Sequence, residues 1–130
     1  MKYTLRNNVL RIAVFALSVL ALSSGCGRKD DLNKARSVVE TSLNSWKMAE
    51  DPNKLVTQGI EINDPDWQSG QQLLGYSVKS VSSQPQQGPR VVVVLNMQDK
   101  SGKKIDTEVA YEVILTDKAK IGRDVFHVPQ

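Results

Sequence analysis

The chain holds a single cysteine, Cys26, and a single histidine, His127. One cysteine cannot close an internal disulfide, and a thiolate metal site needs partners that no second cysteine supplies. A catalytic thiol wants a base nearby, yet His127 stands near the other end of the 130 residues, with no partner evident in the sequence. Membrane-spanning length is lacking too. The apolar run at residues 12 to 22, "IAVFALSVLAL", falls short of the roughly 20 residues that cross a bilayer. An excess of basic charge is only nominal. Lys and Arg number 17 against 14 Asp and Glu, but Lys2, Arg6 and Arg11 all sit in the first eleven residues, which hold no acid. Beyond Arg11 the two signs balance. Nucleic-acid binding requires a basic surface that neutralises phosphates, and none remains to provide one. Lys100, Lys103 and Lys104 flank a glycine turn, the composition of a soluble hairpin tip. No nucleic acid is expected as a partner.

What is present at the N-terminus is ordered. A basic start, a short apolar stretch and small residues follow one another, the order of a secretory signal. The small residues Ser23, Ser24 and Gly25 lead directly to Cys26. This resembles the lipobox of bacterial lipoproteins, although Ser23 stands where a large aliphatic is usual and Leu22 lies one place earlier. The resemblance implies that residues 1–25 are a signal peptide, cleaved before Cys26. It implies a diacylglyceryl group on the Cys26 thiol and commonly an acyl group on its freed amine. The protein would then be tethered to a bacterial membrane and face the periplasm. Gly27 follows the cysteine, where aspartate favours inner-membrane retention in enterobacterial lipoproteins, so the outer membrane is the expected destination. Residues 26–31 would form the lipidated cysteine and a short tether, and residues 32–130 a single domain.

Between Asp31 and Asp51 the apolar residues Leu32, Ala35, Val38, Val39, Leu43, Trp46 and Ala49 recur at steps of three and four, which predicts an amphipathic helix. Asp30 or Asp31 can cap it, and Pro52 marks its end. Residues 53 to 75 read as less regular, with turn formers at Gly59, Asn63, Pro65, Gly70 and Gly75. Asn63, Asp64 and Asp66 do not match a calcium loop. Counted from Asp64, position six is Ser69 and position twelve is Gly75, where glycine and glutamate belong. Asx side chains capping turns is the better reading, and no metal or other cofactor is expected. The period then changes to two over residues 76 to 84, 90 to 99, 104 to 117 and 120 to 128, predicting about four strands joined by hairpins. The expected class is α+β, one N-terminal amphipathic helix packed on a curled antiparallel sheet.

That order resembles the cystatin-like and nuclear-transport-factor-2-like folds across about residues 32 to 128. Such an architecture hosts enzymes, ligand binders and scaffolds alike. The balanced charge and the lack of evident catalytic groups point to a non-enzymatic binding or scaffolding module with an envelope protein as partner. The alternative is a pocket-type small-molecule binder or enzyme, for which Trp46, Trp67, Tyr76 and Tyr111 are the candidate pocket or interaction residues. Tyr111, Tyr76 and Asp64 or Asp66 would have to converge, whereas Tyr111 on an apolar strand face reads as packing. A protease-inhibitor reading is weaker. Gln84 and Gly88 of "QPQQG" match the cystatin first hairpin, but Gln86 replaces its valine and "DKSGKK" lacks the Pro-Trp pair of the second.

Overall fold

The computed structural model describes residues 27–130; the apolar run and Cys26 lie outside the described residues. Helix α1 spans Gly27–Lys47, so it starts and stops earlier than the apolar periodicity suggested. Ala35, Val39, Leu43 and Trp46 are its fully buried apolar positions, at steps that return a side chain to one helical face. Ser42 is buried among them, and its hydroxyl donates to the Val38 carbonyl at 2.8 Å, so the polar group is satisfied locally. The helix ends before Pro52 is reached. Ala49 turns left-handed at φ 56°, and the Glu50 amide reaches back to the Ser45 carbonyl at 3.0 Å, a Schellman-type terminus.

The stretch read as irregular contains short elements. A 3-10 helix covers Pro52–Gln58, capped by Asp51 through the Asn53 amide at 2.9 Å. Strand β1 is Ile60–Asn63, and Pro65–Gln68 form the single-turn helix α2. The later strands are β2 (Gln72–Gln84), β3 (Gly88–Gln98), β4 (Lys104–Leu115) and β5 (Ala119–Arg123).

The sheet therefore has five strands, not about four, in the order β1-β5-β4-β3-β2. Strands β2 to β5 form the antiparallel meander that the hairpin signals predict. Strand β1 breaks the pattern by pairing parallel to β5, with Ile60 opposite Ala119 and Ile62 opposite Ile121. Four residues are too few to show a period, and the partner strand lies at the other end of the chain. The last run also differs. Strand β5 stops at Arg123, and residues 124–130 leave the sheet as a strap.

Alternation separates two faces. Val91, Val93, Leu95 and Met97 of β3, Val109, Tyr111 and Val113 of β4, and Ile121 of β5 join the helix stripe in one core. Each such side chain contributes on the order of 1.5–3 kcal/mol by leaving water. Arg90, Val92, Glu108, Ala110 and Glu112 alternate with them on the opposite face. The Asp124 amide still extends the β4–β5 ladder to the Ala110 carbonyl at 2.8 Å. Beyond it the strap crosses this face, held by Arg90 on Asp124 and by the Lys79 ammonium, which donates to the Gln130 carbonyl at 3.2 Å. Ala110 is 0% exposed on a face that would otherwise be open.

Candidate functional site

Two side-chain clusters stand out, one inside the domain and one under the strap. The first is built on Asp64, which is 1% exposed. Pro65 pre-sets the first turn of α2, and one Asp64 carboxylate oxygen caps it by accepting the amides of Asp66 at 2.9 Å and Trp67 at 3.3 Å. The other oxygen accepts the Tyr111 hydroxyl at 2.5 Å and an Arg123 guanidinium nitrogen at 2.8 Å. Arg123 also pairs with Asp66, and its guanidinium lies 5.9 Å from the Tyr111 ring centroid. Burial pushes the Tyr111 hydroxyl well above its ordinary pKa, and the Asp64 carboxylate adds to that. Burial also opposes the charge on Arg123, but the carboxylates of Asp66 and Asp64 outweigh it and raise its pKa. A buried carboxylate survives only with such partners.

Trp67 of the same turn stacks on Trp46 of α1, with ring centroids 5.6 Å apart and planes 5° from parallel. The Trp46 indole N–H donates to the Gln71 carbonyl at 2.8 Å. The two tryptophans edge a cleft of about 350 Å³ with Ala49, Glu50, Gly70, Gln71 and Gln72. Of the four aromatic candidates, Trp46, Trp67 and Tyr111 are buried in the core. Tyr76 is separate: its hydroxyl donates to Asn44 at 2.9 Å and fastens β2 to α1. Tyr111 and Asp64 do converge, while Tyr76 does not join them. Arg123, which closes this cluster, was missed in the sequence because its partners lie on a turn far away in the chain.

The second cluster fixes the strap. His127 accepts Arg90 on Nδ1 at 2.9 Å and meets Glu108 through Nε2 at 2.9 Å. Arg90 can only donate, so the imidazole proton sits on Nε2 and is given to Glu108. Arg90 also pairs with Asp124, and Lys79 with Glu108 at 2.8 Å. Lys79, followed by His127, holds the Glu108 carboxyl below its ordinary pKa. The Phe126 amide, and after it Arg90, does the same for Asp124. His127, without a partner in the sequence, thus has two in space. Beside the strap runs an open-sided groove of about 510 Å³, with Ser80, Ser82 and Gln84 on its β2 wall and Phe126 and Val128 on its strap wall. Val125, Phe126 and Val128 are 79%, 88% and 75% exposed, so the pinned strap displays apolar side chains to solvent.

Among the described residues, no helix is long and apolar enough to cross a membrane, and no group of three His, Cys, Asp or Glu is placed to hold a metal ion. Comparison with protein-family models, curated proteins and solved structures finds no match.

Proposed function

We propose that this protein is a lipid-anchored bacterial envelope lipoprotein whose domain is a non-enzymatic binding module for an envelope protein. The observation that carries the reading is the strap. The Arg90–Asp124 ion pair and the hydrogen bonds of His127 to Arg90 and Glu108 pin it across the outer face, yet its apolar residues Val125, Phe126 and Val128 face water. An exposed apolar cluster rimmed by polar groups suits a protein contact. The charged side chains beneath the strap bond to one another, which is how a scaffold uses them. The helix-then-meander order supports the resemblance to cystatin-like and nuclear-transport-factor-2-like domains. The parallel β1 is an addition to that order. A pocket-type binder or enzyme is the second reading, favoured by the cleft beside the stacked Trp46 and Trp67.

Anchoring would use Cys26. Its sulfur takes the glyceryl carbon of a phospholipid as a thioether; the phosphorylated headgroup leaves, and the thiol proton is lost. Two or more acyl chains then hold the protein stably, at about 0.8 kcal/mol per buried CH2. Fatty-acid labelling of the full chain and of Cys26→Ser tests this. Label in the first and none in the second is expected. Equal label in both, or none in either, refutes the anchor. Fractionation of the envelope is expected to place the labelled protein in the outer membrane, facing the periplasm.

A further inference from the structure

The sheet has two edges, and they are not equally defended. Strand β1 is four residues long, too short to template much. Strand β2 is thirteen residues long and, among the described residues, pairs only with β3. A bare strand edge offers its unpaired N–H and C=O groups to any other strand, and proteins blunt it with bulges and charge. Half of β2 is blunted in this way. Register shifts fall between Leu73 and Gly75 and between Val78 and Ser80, and Lys79 lies within the second. From Ser80 to Gln84 the register against β3 is unbroken, and the sequence "SVSSQ" carries no charge.

The direction of the free groups follows from Pro89. Proline has no N–H, and Pro89 lies opposite Ser83, so Ser83 and Pro89 form a pair that exchanges no hydrogen bonds. Pairs alternate along an antiparallel ladder. Ser80, Ser82 and Gln84 therefore bond inward to β3, and Val81 and Ser83 turn their N–H and C=O groups outward. We propose that two copies of this chain join edge to edge through Ser80–Gln84, antiparallel, with the two-fold axis at Ser82. In that register Val81 of one copy faces Ser83 of the other, and each pair exchanges both bonds, about four in all. Ser82 meets Ser82 of the second copy across the axis, and Ser80 meets its Gln84. The segment is its own complement, as a closed two-fold interface requires. Lys79 falls opposite Pro85 of the second copy, so the two lysines never oppose each other. The result is one continuous sheet of ten strands with both straps on the same side. This pairing depends neither on the anchor nor on the groove reading.

Cysteine pairing tests it on the full chain under mild oxidant. At the axis the two Ser82 positions form a pair with Cα atoms about 4.5 Å apart, within disulfide reach. Ser82→Cys is expected to form a disulfide dimer about tenfold faster than Ser101→Cys on the exposed β3–β4 turn, because pairing raises the local concentration. The unmodified chain, with Cys26 alone, sets the background. Adding Ser83→Pro to Ser82→Cys deletes an outward N–H that the domain itself does not use, and the rate should fall to that of Ser101→Cys. A second arm needs no proline. Ser80→Cys mixed with Gln84→Cys should give a mixed disulfide, while neither alone exceeds background. Equal rates for Ser82→Cys and Ser101→Cys, no mixed disulfide, or cross-linking of Ser82→Cys only to another protein would each overturn the proposal.

Discussion

Replacing Tyr111 with Phe removes one hydroxyl and leaves the buried ring in place, which isolates the bond to Asp64. Tyr111 is 0% exposed and Asp64 1%, so no water substitutes for the lost donor. A hydrogen bond to a charged group is worth about 1.5–3 kcal/mol. Asp64 keeps Arg123 and two backbone amides, so about 2 kcal/mol is the expected loss at pH 7. Urea unfolding followed by the fluorescence of Trp46 and Trp67 measures it. The alkaline range supplies a sharper check. Burial and the Asp64 carboxylate keep the Tyr111 proton in place when the chain is folded. The stability this contributes is whole below the ordinary tyrosine value of about 10 and falls as pH rises above it, where only the unfolded chain releases the proton. The fall is about 1.4 kcal/mol per pH unit, and Tyr111→Phe lacks it. The 2 kcal/mol gap should therefore close about 1.5 units above pH 10, after which the variant is the more stable protein. A gap below about 0.5 kcal/mol at pH 7, or one that stays constant into the alkaline range, would refute the role assigned to Asp64.

Two glycines with the same φ separate strain from crowding. Gly59 and Gly88 both have φ 75°, but a Cβ on Gly59 meets nothing within 4 Å and one on Gly88 meets the Val113 carbonyl at 2.9 Å. Gly59→Ala should lose about 1–2 kcal/mol for its left-handed backbone, and Gly88→Ala distinctly more; equal losses in urea unfolding would dismiss the crowding. Within the strap, His127→Ala should raise hydrogen exchange at the Asp124 amide about tenfold while Val93 stays protected. Parallel changes at both sites would mean that the strap does not open on its own. Glu108 and Asp124 have depressed pKa values, so their support of the strap is whole above the ordinary carboxylate range. It disappears as pH falls through their folded values. Acid should expose Asp124 before it exposes Val93, and an unchanged order of exchange would contradict this.

The fold was legible wherever a period had room to repeat. Helix α1 showed in the spacing of Ala35, Val39, Leu43 and Trp46, and β3 in the alternation of Val91, Val93, Leu95 and Met97. The Asp99–Lys103 turn showed in its glycine and lysines. Strand β1 was hidden because Ile60–Asn63 spans only two periods, and a parallel partner leaves no turn signal between strands. The end of β5 was hidden for a different reason. "KIGRDVFHV" reads as a strand at its start, but Asp124 bonds to Arg90 and His127 to Glu108, and those contacts carry the chain off the sheet. Of the aromatic candidates, Trp46 and Tyr111 could be placed in the core by their spacing. Their polar partners Gln71, Asp64 and Arg123 could not be found that way, because a hydrogen bond across the fold leaves no period behind.

Strand β5 accounts for both the parallel pairing and the buried carboxylate. Among the described residues it is the strand that joins β1 to the meander, with β1 on one side and β4 on the other. Until it arrives, β1 has no neighbour, and Asp64 has no cation to meet. Arg123, at its last position, reaches Asp64 and Asp66 on the turn that follows β1, while Asp124, next in the chain, reaches Arg90 on the other face. Consecutive residues point to opposite sides of a strand, so these two neighbours lock both layers at once. One closes the inner cluster and the other starts the strap. A carboxylate buried at Asp64 is tolerated because this strand delivers its counter-charge. The same alternation sends the next residues out across a face that the sequence pattern alone assigns to solvent.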